Sequence, residues 1–573
     1  MPILLLGLAF LLGGAKTPMA FCAWTLPALV FSGIPFWNRT RLGHKTISFL
    51  SMVAGILLAQ IYSLDPTASL FWSLEYLVLA CLWLSLQRMP ADKDPDFFWN
   101  GMAVLGFLSA LLTSVQWVRH QIPYGALPLN PNFNAVWMAA IAAALTARTR
   151  KTRMEVLLIV WLSAIVLFGH SRSGLLALMG GMSFSLAERY PVRRIAGVLA
   201  LLLIAAMLIP HGWLLIHRLH VFENGGRLHL WQLACRAMAD YPLTGYGPGN
   251  FEMAYQRHAF PTQGAVRFGQ TTAFAHNDFL QAAVELGWPL AALLAGGYLT
   301  LLLRPLPKNR PLARPAKSIL IALGIAACVN PIFKMPILAY LAILAASCMT
   351  SSDRVPYPEK IPAQEKILLL IPVSVLLLAS WCGLRTLWAD QRQWMRIISV
   401  NPRDAEAWHE LAYASSDSSQ IIAAHERAVE ESPAQVYYVE ALARALESSP
   451  APDTIPRALE VYLKAIQLAP SRAPNVLGVA RLLWRAGEFH EALPWAQRAH
   501  DLEPNYWESE LWMARCLEQT GDKHGARVIL DNTAKRHDEF ARTSFLPPQF
   551  PYEQTILAYD ASVIKSERSR MGR

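Results

Sequence analysis

The run "KILLLIPVSVLLLASWCGLRTLW" (366–388) passes without a break into "ADQRQWMRIISVNPRDAEAWHELAYA" (389–414). The first stretch is apolar and long enough to cross a bilayer, which takes about 20 residues. The second alternates charged and apolar positions at helical spacing, the pattern of a helix with one face in water. The junction divides the chain. Residues 1–388 carry 30 Lys and Arg against 15 Asp and Glu, whereas residues 389–573 carry 21 against 26 and no further long apolar run.

Upstream of the junction, apolar runs of about 14–20 residues recur back to the N-terminus. The whole chain of 573 residues is 54% hydrophobic and only 16% charged, with a mean hydropathy of +0.28. A soluble enzyme of this length would be about 25% charged. The expected spans are about 2–15, 18–36, 46–63, 69–86, 98–115, 132–147, 155–169, 173–187, 194–210, 277–303, 316–330, 334–350 and 366–388. The opening "MPILLLGLAFLLGGAKTP" lacks a basic leader region and reads as a retained helix. The expected fold is all-α: a polytopic bundle of about 12–13 spans over 1–388, then a soluble helical domain over 389–573.

The charges orient the bundle. "RTRLGHK" (39–45), "RTRKTR" (148–153), "ERYPVRR" (188–194) and "RPLPKNRPLARP" (304–315) fall on alternate connections, as cytoplasmic loops do. The pI of about 9.2 is therefore a membrane signature, and no nucleic-acid partner is needed to explain it. On the opposite, outer side fall the loop 116–131, the turn "GHSRSG" (169–174), the long loop 211–276 and everything after Trp388. In a bacterium that side is the periplasm.

The soluble part repeats. "AAHERAVEESP" ends at Pro433, "LEVYLKAIQLAP" at Pro470 and "ALPWAQRAHDLEP" at Pro504. This resembles the tetratricopeptide repeat, whose helix pairs stack into a solenoid with a concave binding face. A generic helical bundle is the alternative.

Chemistry concentrates on the outer side. Arg172 stands in a tight turn between two apolar spans; a charge at that depth is either functional or snorkelling to the interface. The long loop brings Arg218, Arg227, Arg236, Arg257 and Arg267 against only Glu223, Asp240 and Glu252. Such a basic pocket suits a phosphate-bearing ligand, or else anionic lipid headgroups. "GYGPGNF" (245–251) has no Gly-Lys-Ser/Thr, so it is not a nucleotide-binding loop. Its glycines allow close approach of backbone to a ligand or to a helix.

His276 is expected at a helix N-terminus, where the dipole and the neighbouring arginines favour neutral imidazole, a sensible general base. On the helical wheel Asp278, Gln281 and Glu285 share a face nearly opposite it and read as interhelical polar contacts. The seven cysteines include no Cys-x-x-Cys and no cluster with metal-ligand spacing, so neither a disulfide framework nor a structural zinc site is expected.

Three phrases, "FGHSRSGLLAL" (168–178), "GGRLHLWQLACRAMADYPLTGYGPGNF" (225–251) and "AHNDFLQAAVELGWPLA" (275–291), resemble the signatures of the O-antigen ligase-like superfamily, and "LNPNFNAVWMA" (129–139) resembles its Asn-Pro-Asn stretch. That group joins O-antigen ligases, O-antigen and exopolysaccharide polymerases and protein O-oligosaccharyltransferases. The resemblance implies a GT-C-like membrane glycosyltransferase that takes a glycan from undecaprenyl diphosphate without metal or nucleotide. It passes the glycan to a hydroxyl on a glycolipid, a glycan or a protein.

By the same resemblance His276, Arg172 and Arg227 are catalytic. Asn132, Trp231, Gly247, Asn277 and Glu285 shape the substrate site, together with the loop arginines Arg218, Arg257 and Arg267. Asn130, where the protein oligosaccharyltransferases often have Gln, weighs slightly against that branch. The repeats would hold a protein acceptor or an assembly partner. The competing class is a non-catalytic transporter or scaffold that recruits partners through its repeats.

Overall fold

The computed structural model describes residues 2–37, 44–87, 95–119, 130–149, 151–169, 171–187, 226–268, 271–307, 310–350, 370–451, 454–543 and 551–571, with positions 121, 122, 125, 127, 190 and 191. Among them the regular structure is entirely helical. The first group is α1 (Pro2–Leu11), α2 (Pro18–Trp37), α3 (His44–Ile61), α4 (Pro66–Gln87), α5 (Pro95–Val118), α6 (Pro131–Ala147), α7 (Arg153–Phe168) and α8 (Arg172–Leu186). The outer segment holds α9 (Gly226–Ala237) and α10 (Phe251–His258). The bundle then resumes with α11 (Asp278–Leu286), α12 (Trp288–Leu303), α13 (Ala313–Ala327), α14 (Pro336–Thr350) and α15 (Leu370–Asp390).

This is a membrane protein. Pro66–Leu86, Pro95–Val118 and Leu370–Asp390 are long and apolar enough to cross a bilayer, and shorter apolar helices include Pro2–Leu11, Ser48–Ile61 and Pro336–Thr350. Each expected span overlaps described helix except 194–210, which lies outside the described residues; the helix within 2–15 ends at Leu11, and 277–303 is broken in two. Val104, Phe107, Leu111 and Val115 of α5, Leu157 and Val160 of α7, and Leu293 and Leu299 of α12 are exposed on outward faces. Water would penalise that surface; lipid tails would not.

At 277–303 the expectation of one helix is corrected. The chain breaks between α11 and α12 at Gly287, whose φ of 77° is closed to residues with a side chain. A Cβ there would lie 2.3 Å from the Leu243 carbonyl oxygen, so the break is also where the outer segment presses on this part of the bundle.

The centre of the bundle is α6 packed with α8 and α13. Small residues make it possible. A Cβ on Gly174 would stand 2.6 Å from Ala135 Cβ, and one on Gly181 would stand 2.7 Å from Ala143 Cβ. Helices with such small faces approach closely and pack by dispersion where lipid gives no hydrophobic drive.

Beyond α15 come α16 (Trp394–Val400), α17 (Ala405–Ala414), α18 (Ser418–Glu431), α19 (Val436–Ser448), α20 (Thr454–Leu468), α21 (Ala473–Arg485), α22 (Phe489–Leu502), α23 (Trp507–Gln519) and α24 (Lys523–Thr543). The chain ends with α25 (Pro551–Leu557) and α26 (Ala561–Met571). From α17 to α24 each helix packs on the next, as in a stack of hairpins. Pro433, Pro470 and Pro504 each fall two residues past a helix end, where proline halts a helix without cost.

The boundary after residue 388 is less of a seam than the sequence suggests. Helix α15 runs on to Asp390, and Arg385 on it pairs with Asp404 at 2.6 Å. The outer segment is built into the repeat stack: the Arg267 and Phe268 N–H groups donate to Glu503 at 2.7 and 2.8 Å, and Val266 is buried in the repeat core.

Candidate active site

The site assembles where three chain segments meet at one end of the bundle. Ser171 caps α8, its hydroxyl accepting from the Gly174 N–H at 3.1 Å, and so makes Arg172 the first helical residue. Gly226 opens α9, placing Arg227 in its first turn. Before α11 the chain turns sharply: His276 has φ 51°, a left-handed value that costs a non-glycine residue energy and recurs at functional sites.

His276 does not begin the helix. Asn277 does the capping, its Oδ1 accepting from Phe279 and Leu280 N–H at 3.0 and 3.1 Å. The imidazole is nonetheless held neutral, chiefly by burial. Its hydrogen bond with Asn330 works the other way, and the positive charge of Arg227 adds to the lowering of its pKa. Burial, then the like charge of Arg172, also lowers the pKa of Arg227. Each of these groups therefore sits in the electrostatic field of another. The structure brings Arg172, Arg227 and His276 together.

Sequence reasoning missed Asn330. It is fully buried, its Nδ2 donates to Ser173 Oγ at 3.1 Å, and its Oδ1 faces His276 Nδ1 at 3.4 Å. The contact is a hydrogen bond in the tautomer whose Nδ1 carries the imidazole proton and donates to Oδ1. The lone pair is left on Nε2. Asn330 thus holds the ring at Nδ1 and favours the tautomer with Nε2 unprotonated.

Lys334 was missed as well. Its Nζ lies 2.6 Å from Glu285 Oε2 with both side chains buried, and it stands over the Trp72 ring at 4.2 Å. Asp278 accepts from the Phe333 N–H at 3.1 Å, and Gln281 bonds Glu285 at 2.5 Å. The polar face of α11 is therefore a clamp that fastens 330–335 and keeps Asn330 beside His276. The signal was in the sequence: one lysine and one asparagine in "NPIFKMP" (330–336), between two apolar runs.

Several residues read as substrate-shaping are engaged within the fold instead. Glu285 is the buried partner of Lys334, and Asn277 is a cap. Arg257 pairs with Asp240 at 3.4 Å, and Arg267 reaches away to the Asp501 carbonyl at 2.7 Å. At Gly247 a Cβ would strike Ser63 Oγ at 2.3 Å, so its glycine lets the chain lie against the connection between α3 and α4. Asn132 stands in the first turn of α6, its N–H donating to Asn130 Oδ1 at 2.9 Å. Trp231 lies one turn after Arg227 on the same face of α9, and its indole N–H is buried without a partner. Arg218 lies outside the described residues.

Residues 157–295 match the O-antigen ligase family. All three quoted phrases fall inside that stretch, so the resemblance they carry holds. The O-antigen ligase match ends before Asn330 and Lys334, the two residues that fasten His276. No curated protein matches the chain. Among solved structures, a thermophilic TPR protein of Thermus thermophilus is 15% identical over 36% of this chain and 93% of its own, with a TM-score of 0.24. Yeast Tom70 is 14% identical over 84% of this chain and 97% of its own, also at 0.24. Likenesses that low carry nothing about the fold.

Proposed function

We propose that the protein transfers a glycan from undecaprenyl diphosphate to an acceptor hydroxyl at the outer face of a bacterial inner membrane, with residues 389–573 in the periplasm. The observation that carries this reading is the convergence of three groups: His276, held at Nδ1 by Asn330 and lowered in pKa by burial and by Arg227, and Arg172, whose charge acts on Arg227. His276 Nε2 takes the proton of the acceptor hydroxyl as the oxygen attacks the anomeric carbon. The bond from that carbon to the diphosphate breaks, and its electron pair leaves on the phosphate oxygen. Arg172 and Arg227 stabilise the charge developing there, which is where preorganised donors contribute most. The sugar–diphosphate bond is already activated, so no nucleotide need be spent. Trp231, through its unpartnered N–H, adds a donor beside them.

The test is transfer in vitro from a lipid-diphosphate glycan, with lipid A-core, a pilin-like protein and free glycan offered in parallel as acceptors. His276→Ala and Arg172→Ala are expected to lower transfer by about 100-fold or more at unchanged expression. Activity retained in both variants refutes the site. The same assay chooses between ligase, polymerase and protein oligosaccharyltransferase.

A further inference from the structure

A second cavity, of about 530 Å³, opens between the repeat stack and the outer end of α4. That volume is in the range of small-ligand sites. Its floor is the first helices of three successive hairpins, α17, α19 and α21, closed by α25 and by the start of α4.

The lining has an unusual chemistry. Tyr413, Tyr437, Tyr438, Tyr552 and His409 line the cavity. Arg472 stands over the Tyr437 and Tyr552 rings at 5.4 and 5.0 Å, and the Tyr437 hydroxyl donates to Glu252, so Tyr413 is the most exposed of these rings. Among the described residues no Leu, Ile, Val, Met, Phe or Trp faces it; the aliphatic lining is Ala and Pro. An apolar peptide side chain or a lipid tail would find no matching anchor. Asp65, Glu406, Glu410 and Glu440 outnumber Arg444 and Arg472, which disfavours a phosphorylated ligand. Arg472 is moreover already bonded to Glu440.

Three polar atoms here are buried without a partner: Asp65 Oδ2, Gln435 Oε1 and His409 Nδ1. Asp65 is almost wholly buried, and its other oxygen caps α4 through the Ala68 N–H at 3.1 Å. Gln435 and Ser432 stand near enough to temper its carboxyl, yet neither closes a hydrogen bond on Oδ2. Buried acceptors left open are costly, so a ligand that donates hydroxyl groups would relieve them.

We propose that this cavity is a saccharide subsite, holding sugar residues of the glycan whose transfer is proposed above. A sugar hydroxyl both donates and accepts, and a sugar ring has an apolar face; tyrosine rings, carboxylates and an arginine match both needs. Position agrees. Asp65 and Trp72 lie two turns apart on α4, about 10 Å along its axis. The Trp72 ring meets Phe274, two residues from His276, at 6.5 Å. A glycan chain with its reducing end at the arginines runs along α4 into the cavity.

The probe is the free glycan that mild acid releases from the lipid diphosphates of cells making this protein, titrated into the full-length chain in detergent. Tyr413 is 67% exposed, so its substitution spares the core. Tyr413→Ala is expected to weaken binding about tenfold, while Tyr413→Phe, which keeps the ring, binds as the unaltered chain does. Asp65→Asn, which keeps the cap, should also weaken it. The proposal is overturned if the released glycan fails to bind at millimolar concentration, if Tyr413→Ala and Asp65→Asn bind it unchanged, or if a peptide displaces it. Glycan binding that depends on Tyr413 and survives in His276→Ala upholds the subsite even where transfer is not seen.

Discussion

The arginines of the repeat stack and those of the outer membrane face are treated in opposite ways. In the stack, Arg481 donates twice to Glu447, at 2.6 and 2.8 Å, and Arg472 is forked onto Glu440. Each is buried beside its own carboxylate, which raises its pKa against the cost of burial. At the membrane face burial, and then the positive charge of Arg172, lowers the pKa of Arg227. A folded chain does not assemble like charges for stability. The repeat arginines hold helices together, whereas the role proposed for Arg172 and Arg227 is to meet an anion that arrives from outside.

Removing one member of each set separates the two uses. Arg227→Ala is expected to cut transfer by about 100-fold or more while leaving the melting temperature close to that of the unaltered chain. Arg481→Ala leaves the buried Glu447 with the Tyr462 hydroxyl and the more distant Arg485 but without its forked partner, at a cost of about 3 kcal/mol, with the rate per folded molecule unchanged. Thermal unfolding in detergent beside the transfer assay reads both quantities. Equal loss of stability in both variants would erase the distinction.

The histidines repeat the contrast. Burial drives both His276 and His425 toward the neutral form, His425 down to about 4. His276, however, has Asn330 on Nδ1 and Arg227 nearby, whereas His425 Nδ1 has no partner. If His276 is the base, transfer falls as pH drops through its pKa, which lies below the usual value of about 6.5. Asn330→Asp sets a carboxylate against Nδ1, stabilises the imidazolium and moves that acid limb to higher pH. Asn330→Ala lowers the rate about tenfold or more and leaves the limb on the acid side. A structural asparagine would change stability and leave the pH profile in place.

How far these features could be read beforehand follows from their range along the chain. Spans, hairpins and the proline after each repeat are local patterns, and "LEVYLKAIQLAP" announces its helix and its stop within twelve letters. Arg172, Arg227 and His276 were legible as a set because their phrases resemble a family. Asn330 and Lys334 stood out only as polar residues between two apolar runs; their roles were not legible, because these lie in partners far off in sequence: Ser173 for one, Glu285 for the other. Nor could the sequence show Arg267 turned toward the repeats, since its loop charge reads the same wherever the guanidinium points. The left-handed φ of His276 likewise has no local signal such as a glycine.

The smallest expected effect lies in the repeat stack, where histidine titration should register as stability and not as rate. His425 and His409 sit with ring centroids 5.1 Å apart, and His537 stacks on Tyr559; burial lowers all three to about 4. In the unfolded chain they bind protons near 6.5, so above that pH neither state is charged and nothing is lost. Between about 6.5 and 4 the unfolded chain takes up protons that the folded one refuses, and stability falls as pH falls. Below about 4 both states are protonated and the loss levels off. Each histidine contributes up to ~1.4 kcal/mol per pH unit within that window. His425→Gln should therefore flatten the slope of melting temperature against pH between 6.5 and 4, whatever it does to the absolute value, while the acid limb of transfer stays in place. A slope unchanged by His425→Gln would mean that this histidine is already protonated in the folded chain, and the contrast with His276 would fail at that residue.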